Sequence, residues 1–107
     1  MALARNSNRT VVDRVKRDAI FAKALFDEAL TLFLNGEPET ARLVLRYLVR
    51  ATVGFERVAV ATGNPAKSLH RMLSTSGNPS VGNLAAIIGA LRKRLSVKVA
   101  ARMAKEA

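Results

Sequence analysis

Lys67 and Arg71 stand four residues apart in the stretch AKSLHRM, a spacing that puts both cations on one face of a helix. Cations on such a face are the groups that read nucleic acid. Arg71 can place two parallel hydrogen bonds on a guanine edge, and Lys67 can do similar work with less geometric discrimination or bind phosphate. His70 lies beside that face and can contact a base or a phosphate. Ala66 is small enough to let the backbone approach or to meet a thymine methyl. Ser68 within the helix, Asn64 before it, and Thr75, Ser76 and Asn78 after it are short polar groups suited to phosphates, the contacts that set position without reading sequence.

Other chemistries find little support. The chain has one histidine and no cysteine. Ser68 and His70 are two residues apart and do not face each other on a helix, and no acid lies nearby to complete a triad. His70 lacks the companions a metal site needs. The Lys67-Ser68 pair imitates part of a phosphate-binding loop but lacks its glycine spacing. No catalytic residue, metal, cofactor or small-molecule substrate is therefore expected, and an enzyme is not.

Two short helices and a turn must position these residues. Val58, Ala59 and Thr62 give the segment Phe55–Thr62 one small, mostly apolar face. Gly63 stops it, because the residue past a helix end often needs a left-handed backbone. Asn64 is expected to cap the next helix, with Pro65 at its first position. Leu69, Met72 and Leu73 then form a buried face opposite Lys67 and Arg71. This is the sequence form of a helix-turn-helix, whose second helix lies in the major groove. The helix starts at Phe55, Pro65 and Ser80 add free N–H groups that favour anions.

Charge points the same way. Of 107 residues, 18 are basic and 8 acidic, a net charge of +10, which predicts affinity for a polyanion. No acid occurs between Glu56 and Glu106, an interval that holds Arg57, Lys67, Arg71, Arg92, Lys93, Arg94, Lys98, Arg102 and Lys105. The acids collect from Asp13 to Glu56, so the chain carries two surfaces suited to different partners. No apolar run is long enough for a membrane helix, and Arg5, Asn6, Asn8 and Arg9 interrupt any signal-like core; a cytoplasmic location is expected.

The remaining pattern is all-α, a compact five-helix bundle. Residues 1–12 read as a flexible basic tail. Asp13 caps a first helix to Leu34, with Ile20, Ala24, Leu30 and Leu34 on its apolar face and Asn35-Gly36 as its stop. This helix is greasier than a small bundle requires, so Phe21, Leu25, Phe26, Glu28 and Leu32 become candidate partner-binding residues; burial on two sides within the domain or a dimer is the competing explanation. Glu37–Thr52 is the second helix, with Pro38 near its start and Ala41, Val44, Leu45, Leu48, Val49 and Thr52 buried. Arg42, Arg46 and Arg50 recur on one side of it as a solvated face or one near a phosphate backbone or an acidic partner. Ser80 caps a last helix, Val81–Leu95, with Leu84, Ile87, Ile88, Leu91 and Leu95 inward. A single DNA-binding domain thus spans 13–95, followed by a basic tail, 96–107.

The stretch Phe55–Ser74 resembles the helix-turn-helix of lambda-repressor-like (XRE) regulators, through Val58, Ala59, Gly63, Leu69 and Met72 and the downstream Asn78-Pro79-Ser80…Leu84. More narrowly, LFLNGEPETARLVLRYLV (32–49) and GNPAKSLHRMLSTSGNPSVGNLAAIIGALRKRL (63–95) are similar to addiction-module antidote proteins, the HigA-like partners of RelE/HigB-type toxins. The resemblance implies a homodimer that binds operator DNA, represses its own operon and neutralises a small toxin. It puts base reading on Ala66, Lys67, His70 and Arg71, and phosphate contacts near Ser68 and the 74–78 loop. Asn64 and Pro65 depart from the family's more usual apolar–Ser/Thr helix start, and the N-terminal helix is longer than a minimal regulator needs, which suits a partner-binding role. The alternatives are a DNA-binding regulator without a toxin, a helical protein-interaction module, and non-specific nucleic-acid packaging by charge. Dimerisation is expected through Val81–Leu95 and the tail.

Overall fold

The computed structural model describes the backbone of residues 2–106 and side chains from Arg9 to Glu106. The described residues form six helices: α1 (Ala2–Arg17), α2 (Ala19–Leu34), α3 (Pro38–Ala51), α4 (Phe55–Thr62), α5 (Ala66–Met72) and α6 (Val81–Leu95). The all-α class holds, with one helix more than expected. No described helix is long and apolar enough to cross a membrane.

The extra helix lies at the N-terminus, where a tail was expected over 1–12. The described backbone is helical from Ala2; Met1 and the side chains before Arg9 lie outside the described residues. Val12 and Val15 are buried and Val11 packs beside them, so the i, i+1 and i+4 spacing in TVVDRV supplies an apolar stripe that docks α1 onto α3. The break falls at Asp18, not Asp13. Asp18 leaves helical geometry (φ −131°, ψ 98°), and its carboxylate accepts a hydrogen bond from the Phe21 N–H at 3.0 Å. Asp18 thus caps α2, and Arg14 approaches the same carboxylate at 3.9 Å. The single helix expected over 13–34 is two helices.

The inward face of α2 also differs. Ile20 is 82 % exposed and Leu34 73 %, whereas Ala22, Phe26 and Ala29 are buried. The stripe at i, i+4 and i+7 turns two alanines inward, and small residues let helices approach closely. α2 packs chiefly on α3.

α3 is the hub, touching α1, α2 and α4. Pro38 occupies its first turn, where no N–H is needed, and Ala41, Leu45, Leu48 and Val49 are fully buried. Val44 and Thr52, expected with them, are partly buried. Ser80 caps α6 as expected, its hydroxyl accepting from the Asn83 N–H at 3.1 Å. Ile87 and Leu91 carry α6 into the same core as Leu45, Leu48, Phe55, Val58, Leu69 and Leu73. The radius of gyration, 13.6 Å, is that of a packed domain of this length. α6 ends at Ser96 in the left-handed region (φ 55°), and residues 97–106 have no helix.

Candidate nucleic-acid interface

The turn between α4 and α5 forms for the local reasons its residue types suggest, with one exchange of roles. Gly63 is left-handed (φ 71°, ψ 17°), and its N–H returns to the Ala59 carbonyl at 2.9 Å. Asn64, however, does not cap α5. Its side-chain amide donates to the Thr62 carbonyl at 3.3 Å and to Asn83 Oδ1 at 3.1 Å. Pro65 takes the cap position with extended backbone, and α5 has no side-chain cap. Proline cannot donate and its φ suits either place, so the helix starts one residue late and Asn64 ties the turn to α6. Its amide hydrogens are engaged within the protein, away from the phosphate role expected of it.

Along α5 the apolar residues anchor one face. Leu69 and Leu73 are buried and Met72 is half-buried. Lys67 and Arg71 are exposed, and Ala66 and Ser68 are partly exposed beside them. Among the described residues, neither Lys67 nor Arg71 has an acidic partner.

His70 behaves differently from its neighbours. Its ring stacks on Phe55 with centroids 3.7 Å apart and planes 17° from parallel. Burial lowers its pKa from 6.5, the Arg46 and Arg50 guanidiniums lower it further, and Glu56 opposes them. At neutral pH the ring is therefore uncharged, and one of its faces is occupied. That removes it from the cationic face shared by Lys67 and Arg71.

The segment after α5 folds back over that helix. A side chain at Gly77 would place its Cβ 2.2 Å from the Met72 carbonyl oxygen and 2.6 Å from that of Arg71, so only glycine allows this crossing. The Gly77 N–H donates to the Ser74 carbonyl at 3.0 Å, and the Ser74 N–H and hydroxyl reach the Arg71 carbonyl at 3.2 and 2.8 Å. Ser68, Arg71, Met72, Ser76, Gly77 and Asn78 consequently line one open recess. Four residues singled out from the sequence (Ser68, Arg71, Ser76 and Asn78) come together there. Thr75 is exposed nearby but does not line the recess, and Lys67 lies outside it on the same helix.

One residue of this assembly belongs to the arginine stripe of α3, whose role the sequence leaves open. Arg42 is 8 % exposed. Its Nε donates to the Ser74 carbonyl at 3.0 Å and its Nη2 to the Thr75 carbonyl at 2.9 Å. The signal was present in the spacing: Arg42, Leu45 and Val49 stand at i, i+3 and i+7, on the inward stripe. Arg46 is half-buried and Arg50 exposed.

The candidate partner-binding residues separate. Phe26 is 2 % exposed and belongs to the core, so it offers no docking surface. Phe21 is half-buried with the Arg14 guanidinium 4.2 Å above its ring, Leu25 packs on the core, Leu32 is half-buried and Glu28 is exposed.

The chain matches no family model, no curated protein and no solved structure.

Proposed function

We propose that this chain is a sequence-selective DNA-binding regulator of the helix-turn-helix type, with α5 as the helix that enters the major groove. The observation that carries the reading is the exposure of Lys67 and Arg71 on one face of α5, without acidic partners among the described residues, beside the recess that gathers Ser68, Ser76 and Asn78. Arg71 reads a base, Lys67 reads a base or a phosphate, and the recess holds the backbone that flanks them. The acid-free basic interval between Glu56 and Glu106 strengthens the attraction at long range. A homodimer would set two α5 helices in successive major grooves, about 34 Å apart.

The finer reading is an antitoxin that represses its own operon and neutralises a RelE/HigB-like toxin. It rests on the resemblance carried by 32–49 and 63–95. The exposed acids Asp27, Glu28, Glu37 and Glu39 suit a small basic toxin.

Fluorescence anisotropy on the DNA upstream of the chain's own gene, against scrambled DNA and over a salt series, tests the first reading. Arg71→Ala is expected to weaken binding by about 1–3 kcal/mol and relax sequence preference, and Lys67→Ala to make the salt dependence shallower by about one where it binds phosphate. Equal binding to both DNAs that collapses with salt would leave a basic helical protein without sequence preference. Co-purification with the product of the neighbouring gene tests the second reading, and a Lys67/Arg71 double alanine variant should keep that partner while losing DNA.

A further inference from the structure

We propose that Arg42 is the positioning residue of the 74–78 loop. Its guanidinium fastens the loop to α3 so that Ser76 and Asn78 stand beside Ser68 and Arg71, and it acts without touching DNA. The inference rests on the DNA-binding reading above.

The Ser74 carbonyl is the junction. It accepts from Arg42 Nε and from the Gly77 N–H, both at 3.0 Å. Ser74 in turn holds the Arg71 carbonyl through its own N–H and hydroxyl. One residue, Ser74, therefore joins α3 and the loop through its carbonyl and the backbone of the residue that would read a base through its N–H and hydroxyl. The second guanidinium bond, to the Thr75 carbonyl, fixes the next peptide plane, leaving the Thr75 and Ser76 side chains exposed. Gly77 lies against the end of α5 too closely for any Cβ, so the loop is held from both sides.

A fork that spans two successive carbonyls needs a guanidinium; an ammonium is a single point charge. Stability alone is a poor reason for this residue. A buried charge is costly to desolvate, and a well-packed apolar side chain of similar size often does as well or better. Arg42 lies on the stripe that already carries Leu45 and Val49, and both of its hydrogen bonds go to the loop.

Arg42→Met keeps the aliphatic stem and removes both bonds. Amide hydrogen exchange of the free protein should show the Gly77 N–H at least about tenfold faster, while the Leu73 and Leu91 amides keep their protection. With a fluorescein-labelled duplex of the DNA upstream of the chain's own gene, affinity should fall about tenfold and the salt dependence become shallower by about one. Ser76→Ala should weaken the wild-type chain but add nothing to Arg42→Met, a coupling that general destabilisation does not produce. Arg42→Lys, which reaches one carbonyl, should fall between, and it carries the same measurements if Arg42→Met does not fold. Unchanged Gly77 exchange overturns the proposal whatever the DNA result. A loosened loop with wild-type affinity, or additive effects of Arg42→Met and Ser76→Ala, overturns the link to DNA. A wild-type chain that does not prefer its own upstream DNA instead overturns the DNA-binding reading, and Gly77 exchange then decides whether Arg42 holds the loop.

Discussion

The imidazole of His70 lies flat on the ring of Phe55, 3.7 Å between centroids, where α5 crosses the start of α4. The stack joins the exposed helix to a residue of the core, and partial burial there disfavours the charged ring. Two guanidiniums from α3, on Arg46 and Arg50, raise the cost of protonating it.

A pH dependence follows. The folded chain holds the His70 pKa below its ordinary 6.5, so the unfolded chain binds that proton more readily. The stabilisation is complete above pH 6.5 and is lost as pH falls through the folded pKa. The melting temperature of the wild-type chain should drop between pH 7.5 and 5, and His70→Phe, which keeps a flat ring on Phe55, should flatten that slope. With one histidine in the chain, its ring proton resonance reports the pKa directly. A midpoint at or above 6.5 would contradict the assignment.

Gly77→Ala is expected to be disruptive although the position is a loop. The added carbon meets backbone carbonyls, not a flexible side-chain end, so the loop must move. Strain of this kind costs about 1–3 kcal/mol, measurable as a lower midpoint in urea unfolding. Gly82→Ala in α6, where the nearest side-chain atom lies 4.0 Å away, is the control and should leave the midpoint unchanged or slightly raised.

What was legible in the sequence follows from how far apart the deciding residues lie. Gly63, Pro38 and Ser80 act on their own neighbours, and the helix ends they mark stand where their types place them. The exposed placement of Lys67 and Arg71 follows from Leu69, Met72 and Leu73 on the same short helix. The tie of Asn64 to α6 is not legible in the sequence, because its partner, Asn83, is 19 residues away. The spacing of Arg42 with Leu45 and Val49 turns it inward, but which groups it meets is not legible, because the carbonyls it serves lie 32 and 33 residues on. In AIFAKALFDEALTLFL nearly every side of α2 is apolar, so periodicity permits several inward faces and packing against α3 chooses one. The break at Asp18 was hidden by Asp13, an equally good capping type with no glycine or proline to favour either.

Asp18 is a separable test of that break. Asp18→Ala removes the cap on Phe21 and the approach of Arg14, and loss of a helix cap costs about 1 kcal/mol. The Arg14–Asp18 pair adds little, since both side chains are well exposed. Asp18→Asn should recover most of the loss, because the amide oxygen still accepts from Phe21. Asp13→Ala, within α1, should leave the urea midpoint nearly unchanged. Equal losses at both positions would argue against a helix break at residue 18.

The inward face of α2 can be tested in the same way, and the result bears on whether anything covers its outer side. Phe26→Ala should lower stability by about 3–5 kcal/mol, as truncation of a fully buried aromatic does. Ile20 and Leu34 lie on the opposite side, 82 % and 73 % exposed. Ile20→Gln and Leu34→Gln should each change unfolding free energy by less than about 0.5 kcal/mol, the range of surface substitutions. Measured at two protein concentrations, those same variants report on assembly. A loss that grows with concentration would show that a second copy of the chain buries this face, because mass action ties a dimer's stability to protomer concentration. A small loss independent of concentration would leave the face open on the free protein and move the search for a dimer contact to α6, where Val81 is 85 % exposed.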